Sequence, residues 1–165
     1  MNLKTGELDI NKIYKPKGHC PPFYKGYLDQ VPDDGNLLIH LQDIIADTEE
    51  LVNELPPEKL TFAYAKGKWT IKDILVHLSD TERVFIYRAL RFSRGDQTPL
   101  PGFDEALFAA HASANEREIT DIMRELSLIR ESSIAFIESL NDESLNRKGT
   151  ANDNEISVLL LLNVI

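Results

Sequence analysis

The sequence predicts an all-α protein, a four-helix bundle with an irregular N-terminal arm and a shortened fourth helix. Three long segments carry apolar residues at the three- and four-residue spacing of an amphipathic helix, and a fourth such segment begins near the C-terminus. No segment alternates apolar and polar residues as a half-buried strand does. We therefore expect one helical domain over residues 36–165, preceded by an arm over residues 1–35.

Proline and glycine recur throughout residues 1–35, which predicts an arm without regular structure. Its aromatic side chains, Tyr24 and Tyr27 among them, suggest that the arm packs on the bundle. The adjacent His19 and Cys20 offer an imidazole and a thiol, but one pair provides too few ligands for a structural metal site. Adjacency alone gives this pair no function.

The first long helix is predicted from Asn36 to Leu55, because leucine and isoleucine recur there at helical spacing and two prolines follow. His40 lies at the flank of the apolar stripe. A histidine at such a boundary is expected to be buried and hydrogen-bonded.

The second helix is predicted to begin at Ile71, because Thr70 and Asp73 form the sequence pattern of a capping box. It is predicted to end at about Ser93 or Arg94, where Gly95 can terminate a helix. The expected core-facing stripe consists of Ile71, Ile74, Leu75, Leu78, Phe85, Ile86 and Ala89.

Two polar residues on the second helix do not suit a purely apolar stripe. Glu82 lies near its middle, where a carboxylate is costly unless it meets an arginine, a histidine or a metal ion. His77 lies at the edge, with Asp80 about one turn away. His77 is either a hydrogen-bonded boundary residue or a metal ligand, and the spacing by itself favours the first.

A short helix or turn is predicted over Phe103 to His111, and a third long helix over Ile119 to Leu140. The charged residues of the third helix are interpreted as a solvated face. They are Arg124, Glu125, Arg130, Glu131 and Glu138.

The fourth helix is predicted to begin at Val158, with Ser157 as its cap. The sequence continues for about two turns to Ile165 and stops within an apolar run. We expect a truncated form of a longer domain, or an end that another subunit completes.

Composition disfavours two classes of partner. The net charge of −9 and the isoelectric point of about 4.9 disfavour nucleic acid and anionic membrane surfaces, both of which require a basic face. A single cysteine, Cys20, excludes an internal disulfide and is typical of a reducing compartment. With no leader at Met1 and no run of roughly 18 apolar residues, we expect a cytoplasmic protein.

Three segments together resemble the DinB-like superfamily of YfiT-related four-helix-bundle proteins. They are WTIKDILVHLSDTERVFIYRALRFSRGD, TPLPGFDE and RELSLIRESSIAFIESL, and the resemblance extends from about Asn36 to the C-terminus. It implies a metal-dependent hydrolase or a thiol-dependent transferase, often dimeric, with nickel or zinc held by three histidines. His77 matches the ligand from the second helix. The other two ligands would form an H-x-x-x-H pair in the fourth helix, which the sequence up to Ile165 does not contain.

Two hypotheses of different classes follow. In the first, the protein is an enzyme for a small-molecule substrate, with a divalent metal at His77 and the other ligands lost or supplied in trans. Glu82 or Asp80 would then orient a ligand or act as a general base, and Glu82, His40 or His111 could be recruited as ligands. In the second, the chain is inactive and forms a metal-free helical bundle that acts as a dimeric interaction or structural protein.

Overall fold

The computed structural model describes residues 12–165, in which three long helices and one short helix form a bundle. The helices are α1 (Pro22–Leu28), α2 (Leu37–Glu54), α3 (Pro57–Leu60), α4 (Ile71–Ser93), α5 (Glu105–His111), α6 (Ile119–Glu138), α7 (Asp142–Asn146) and α8 (Val158–Leu162). Strands β1 (Lys148–Ala151) and β2 (Asn154–Ser157) precede α8, and a single turn of 3-10 helix at Ala114–Glu116 precedes α6. Helix α4 packs on α6 and α8, and α2 packs on α6. The predicted all-α bundle with a shortened fourth helix is confirmed.

Helix α4 begins and ends where the sequence indicates. The Thr70 hydroxyl accepts a hydrogen bond from the Asp73 backbone at 3.1 Å, and the Asp73 carboxylate accepts one from the Thr70 backbone at 2.9 Å. This reciprocal pair satisfies two N–H groups that would otherwise lack partners at the helix N-terminus.

The buried face of α4 is rotated from the predicted stripe. Val76 and Ser79 are buried, whereas Ile74 is 44% exposed and Leu78 is 45% exposed. Leu78 lines a cavity that is open to solvent, which explains its exposure. Nothing in the structure explains the exposure of Ile74.

Helices α4 and α6 run in the same direction. The Thr70 hydroxyl at the start of α4 donates to the Asn115 side chain, which lies just before α6, at 2.9 Å. The connection between the two helices is long enough to return the chain to the same end of the bundle, and α5 forms within it.

The apolar core consists of two clusters. The large cluster contains the C-terminal halves of α4 and α6 and all of α8, including Phe85, Ala89, Phe92, Ile134, Ile137 and Leu161. The small cluster contains their N-terminal halves and the end of α2, including Val52, Leu75, Val76, Ile122 and Leu126. Along both α4 and α6, the residues between the clusters include one buried charge, Glu82 and Arg130 respectively.

Glu82 and Arg130 form a buried ion pair between α4 and α6. The Arg130 Nε and Nη2 atoms donate to the Glu82 carboxylate at 2.9–3.1 Å, and Nη1 donates to the Leu41 carbonyl of α2 at 2.9 Å. The expectation that Glu82 needs a partner is confirmed, and the partner is an arginine. The placement of Arg130 on a solvated face was wrong, because Glu82 compensates the charge and allows Arg130 to be buried.

A short hairpin that the sequence pattern did not predict leads into α8. Strands β1 and β2 pair antiparallel, with Lys148 opposite Ser157 and left-handed residues at Asn152 and Asp153 in the turn. Each strand carries one apolar side chain, Ala151 or Ile156, so neither shows the apolar and polar alternation that identifies a strand. The Ser157 hydroxyl then accepts from the Leu160 backbone at 3.1 Å, which confirms the predicted cap of α8.

The arm is more ordered than predicted. Residues 22–28 form α1, which buries Tyr24 and Leu28 in the large cluster, so the arm packs on the bundle as expected. Pro22 is compatible with this helix because the first helical position needs no N–H donor. Residues 1–11 of the arm lie outside the described residues.

Arg88 of α4 is a second buried cation, 3% exposed, and it holds the loop that follows α4. Its Nη2 atom donates to the Pro101 carbonyl at 2.9 Å, and its guanidinium lies over the Phe85 and Phe103 rings at 5.6 and 5.9 Å. Within residues 12–165 no carboxylate pairs with Arg88, and its buried Nε has no hydrogen-bond partner. Burial lowers the pKa of the Arg88 guanidinium, which shows that the charge is held at a cost.

In the described part of the chain, every helix is either too short or too polar to cross a bilayer.

The ion pair should stabilise the bundle only as a complete pair. Arg130→Met leaves Glu82 buried without a cation, so we expect the free energy of unfolding in urea to fall by about 3 to 5 kcal/mol. The double substitution Glu82→Leu with Arg130→Met removes both charges and keeps the packing volume, so it should restore most of that loss. A loss below about 1 kcal/mol in Arg130→Met would contradict the role of the pair.

Arg88 should behave in the opposite way. Arg88→Met removes a desolvated charge that has no carboxylate among the described residues, and the exposed Pro101 can bind water instead. We therefore expect the free energy of unfolding to be unchanged or raised by up to about 2 kcal/mol. Arg88→Ala also removes the packing of the side-chain stem and should be destabilising. Destabilisation of Arg88→Met by more than about 1 kcal/mol would contradict this expectation and show that the contacts of the guanidinium outweigh its desolvation.

Candidate functional site

A cavity of about 470 Å³ opens between α1, α2, α4 and the residues that follow α8. Its aromatic and aliphatic lining residues are Phe23, Tyr24, Tyr27, Val31, Ile44, Ile45, Leu78, Phe85, Leu126, Val164 and Ile165. Its polar lining residues are Gln30, Thr48, His77, Thr81, Glu82, Glu105, Arg130 and Asn163. An apolar pocket with a few polar groups is the usual form of a small-molecule site.

A larger groove, of about 670 Å³, lies on the outer face of α4 and α6 and is less suited to chemistry. No histidine or cysteine lines it. Its Glu125 accepts from Arg83 at 2.6 Å and from Arg117 at 2.5 Å, so these three charges satisfy one another. The smaller cavity is therefore the candidate site.

His77 lies in the wall of the cavity, half-buried on α4. Its ring packs against Trp69 with 4.7 Å between ring centroids, and its Nδ1 lies 3.4 Å from the Thr81 hydroxyl. These two contacts orient the imidazole. Nε2 has no partner among residues 12–165, so His77 combines a fixed ring with one nitrogen that is available to a ligand or a metal ion.

The structure places the other two candidate histidines elsewhere. His40 is hydrogen-bonded, as predicted, but half-buried rather than buried, and its Nε2 lies 3.0 Å from the Asp34 carboxylate before α2. A hydrogen bond from the Asn36 backbone, with a smaller contribution from His40, lowers the pKa of Asp34. His111 is exposed on α5, where its Nδ1 lies 2.8 Å from the Leu107 carbonyl. Neither histidine lines the cavity, so recruitment of either beside His77 is not what the geometry shows.

The two acidic candidates also differ from their proposed roles. Glu82 lines the cavity, but its carboxylate is paired with Arg130, which leaves it a poor metal ligand or base. Asp80 lines a separate depression together with Phe108 and His111. Burial raises the pKa of Asp80, but the residue does not line the cavity.

Cys20 and His19 form no reactive pair. The Cys20 thiol lies 3.6 Å from the Pro21 carbonyl and partly packs on the large cluster. Burial raises the pKa of the Cys20 thiol, which disfavours the reactive thiolate.

The described residues do not fit a complete metal site. Within residues 12–165 there is no group of three histidine, cysteine, aspartate or glutamate side chains close enough to hold an ion. A protein site for zinc normally supplies at least three ligands, and His77 supplies one. We therefore derive no reaction step through a metal.

Sequence reasoning located His77 but missed most of the cavity. The sequence pattern places Arg130 on a solvated face and assigns Tyr24 and Tyr27 only to packing of the arm, whereas all three line the cavity. One signal could have identified Arg130. It lies at helical spacing with Leu126, Ser133 and Ile134, all of which face the core in the same way as the stripe around Glu82.

Comparison with known proteins agrees with the fold. The sequence model of the DinB superfamily matches residues 40–165. An Oceanobacillus iheyensis protein named "Putative metal-dependent hydrolase" is 31% identical over 111 residues, which cover 66% of this chain and 63% of that protein. The chain thus spans somewhat less than two thirds of the length of that relative.

The solved structure of YfiT from Bacillus subtilis is similar in fold, with a TM-score of 0.66 over 94% of this chain and 87% of YfiT. It is described as a probable metal-dependent hydrolase with an unusual four-helix bundle topology. At 16% identity, this likeness shows the fold alone. Since the superfamily match extends over most of the chain and the bundle has the same architecture, this protein belongs to the DinB superfamily.

Proposed function

We propose that this protein is a metal-dependent hydrolase of small organic molecules, with the cavity beside α4 as its substrate site. We further propose that His77 contacts a divalent ion, nickel or zinc. The observation that carries this proposal is the environment of His77, whose ring is oriented by Trp69 and Thr81 while Nε2 remains available beside the cavity. The name of the Oceanobacillus relative supports hydrolysis and metal dependence.

One imidazole does not hold a divalent ion tightly. What the described residues contribute is therefore a single preorganised contact and a cavity lined largely by apolar side chains. The thiol-dependent transferase implied by the resemblance would use the same cavity, with a thiol in place of water as the nucleophile. Turnover assays with and without added thiol distinguish the two reactions. The expected homodimer stays a prediction, which sedimentation analysis tests.

Nickel binding at His77 should be visible in the fluorescence of Trp69, which is the only tryptophan in the chain. Because the Trp69 and His77 rings are in contact, a nickel ion on the imidazole should quench the indole emission. We expect His77→Phe to weaken nickel binding at least about tenfold, a loss of about 1.4 kcal/mol. Phenylalanine keeps the ring contact with Trp69 but offers no nitrogen to the ion.

His111→Phe is the matched control, since His111 is exposed and bonded only to Leu107 within the described residues. Nickel should quench the indole emission of this variant as it does that of the unaltered protein. Added zinc should reverse the quenching in both proteins. Elemental analysis of the purified protein gives an independent measure of bound metal. If His77→Phe bound nickel as tightly as the unaltered protein, His77 would not be a ligand of the ion. An unaltered protein that binds neither ion would favour the metal-free bundle of the second hypothesis.

A further inference from the structure

The polar floor of the cavity carries no net charge. Glu82 and Arg130 both line the cavity, and the Arg130 Nε and Nη2 atoms bind the Glu82 carboxylate side by side. Both residues are buried, with 3% and 8% of their surface exposed. A ligand carboxylate at this floor would have to displace Glu82 or lie beside it without solvent to screen the repulsion.

Arg130 nevertheless keeps hydrogen-bonding capacity. A guanidinium has five N–H donors, and Arg130 uses one on Nε, one on Nη1 and one on Nη2 within the described chain. Two N–H donors thus remain for a ligand. A guanidinium has no acceptor, so the complementary ligand group is a neutral acceptor such as a carbonyl oxygen.

The other charged groups nearby do not favour an anion. Glu105 is an exposed carboxylate at the rim of the cavity and forms no ion pair with a described residue. Arg88 packs on the Phe85 ring but does not itself line the cavity. In the metal-free protein a ligand anion would therefore meet a repelling rim and a compensated floor.

The walls favour an apolar body on the ligand. Tyr24 and Phe85 pack edge to face at 6.2 Å, and Phe23 and Tyr27 extend this aromatic wall towards solvent. Phe23 is 61% exposed and Tyr27 is 54% exposed. A volume of about 470 Å³ is within the range of cavities that bind small organic molecules.

From these observations we propose that the cavity selects uncharged carboxamides or esters with an aromatic or aliphatic body, and that Arg130 binds their carbonyl oxygen. The proposal rests on the proposed hydrolase function, for which the acyl bond is the bond to be cleaved. Hydrolysis adds water across that bond and releases a carboxylic acid with an amine or an alcohol. The acid ionises at neutral pH, so the product is the species that this neutral floor retains least.

Selectivity can be measured by binding alone, without metal or turnover. The probes are 3-phenylpropanamide, 3-phenylpropanoate and 3-phenylpropylamine, which share one body and carry a neutral, an anionic or a cationic head group. Calorimetric titration of the full chain should show that the amide binds at least about tenfold more tightly than either charged probe. Tighter binding of the carboxylate or the amine, or no binding of the amide at about 10 mM, would overturn the proposal.

A substitution at the floor should invert the preference. Glu82→Gln keeps the shape of the side chain and leaves Arg130 uncompensated, so the carboxylate should gain at least about tenfold over the amide. Glu105→Gln, the matched change at the exposed rim, should alter that ratio by less than about threefold. If a folded Glu82→Gln protein kept the same ratio of carboxylate to amide affinity, the role of the pair would be contradicted. A preference of the unaltered protein for a charged probe would contradict it as well. Loss of nickel binding would leave these results intact, so the two proposals fail separately.

Discussion

The ion pair between Glu82 and Arg130 constrains how α4 and α6 pack on each other. Two charges removed from water are tolerated only when they meet with good geometry, so the helices that carry them cannot slide independently. The bond from Arg130 to the Leu41 carbonyl extends this constraint to α2. A slide of one helical turn moves a residue by about 5.4 Å, which would break every bond in the set. We infer that the pair fixes the register of three helices that apolar packing alone specifies less strictly.

The same pair explains why the cavity lies where it does. The large and small clusters fill the two ends of the bundle, and the charged residues occupy the level between them. At this level of the bundle Glu82 and Arg130 occupy interior positions in place of apolar side chains. The cavity lies beside them. The ion pair that links α4 and α6 thus also lines the candidate site.

The sequence could predict what is decided locally. The capping box of α4, the serine cap of α8 and their apolar periodicities involve residues within a few positions of one another, and the start points of both helices were confirmed. Arg130 was misplaced because its burial depends on Glu82, which is 48 positions away. The hairpin was missed because its short strands are supported from outside, by the Leu100 backbone bonded to Thr150 and Asn152. Such long-range partners leave no periodic signal in the sequence.

The candidate site shows the same division within a single helix. Glu82 and His77 both interrupt the apolar pattern of α4, and the sequence alone treats them as similar anomalies. The structure separates them by their partners. Glu82 is paired with Arg130, whereas the His77 ring is oriented through Nδ1 and its Nε2 has no partner within residues 12–165. A polar residue whose hydrogen bonds are complete accounts for stability, and one whose capacity remains accounts for recognition. By that criterion we propose that His77 and the Arg130 donors that no described residue uses form the ligand-binding side of the cavity.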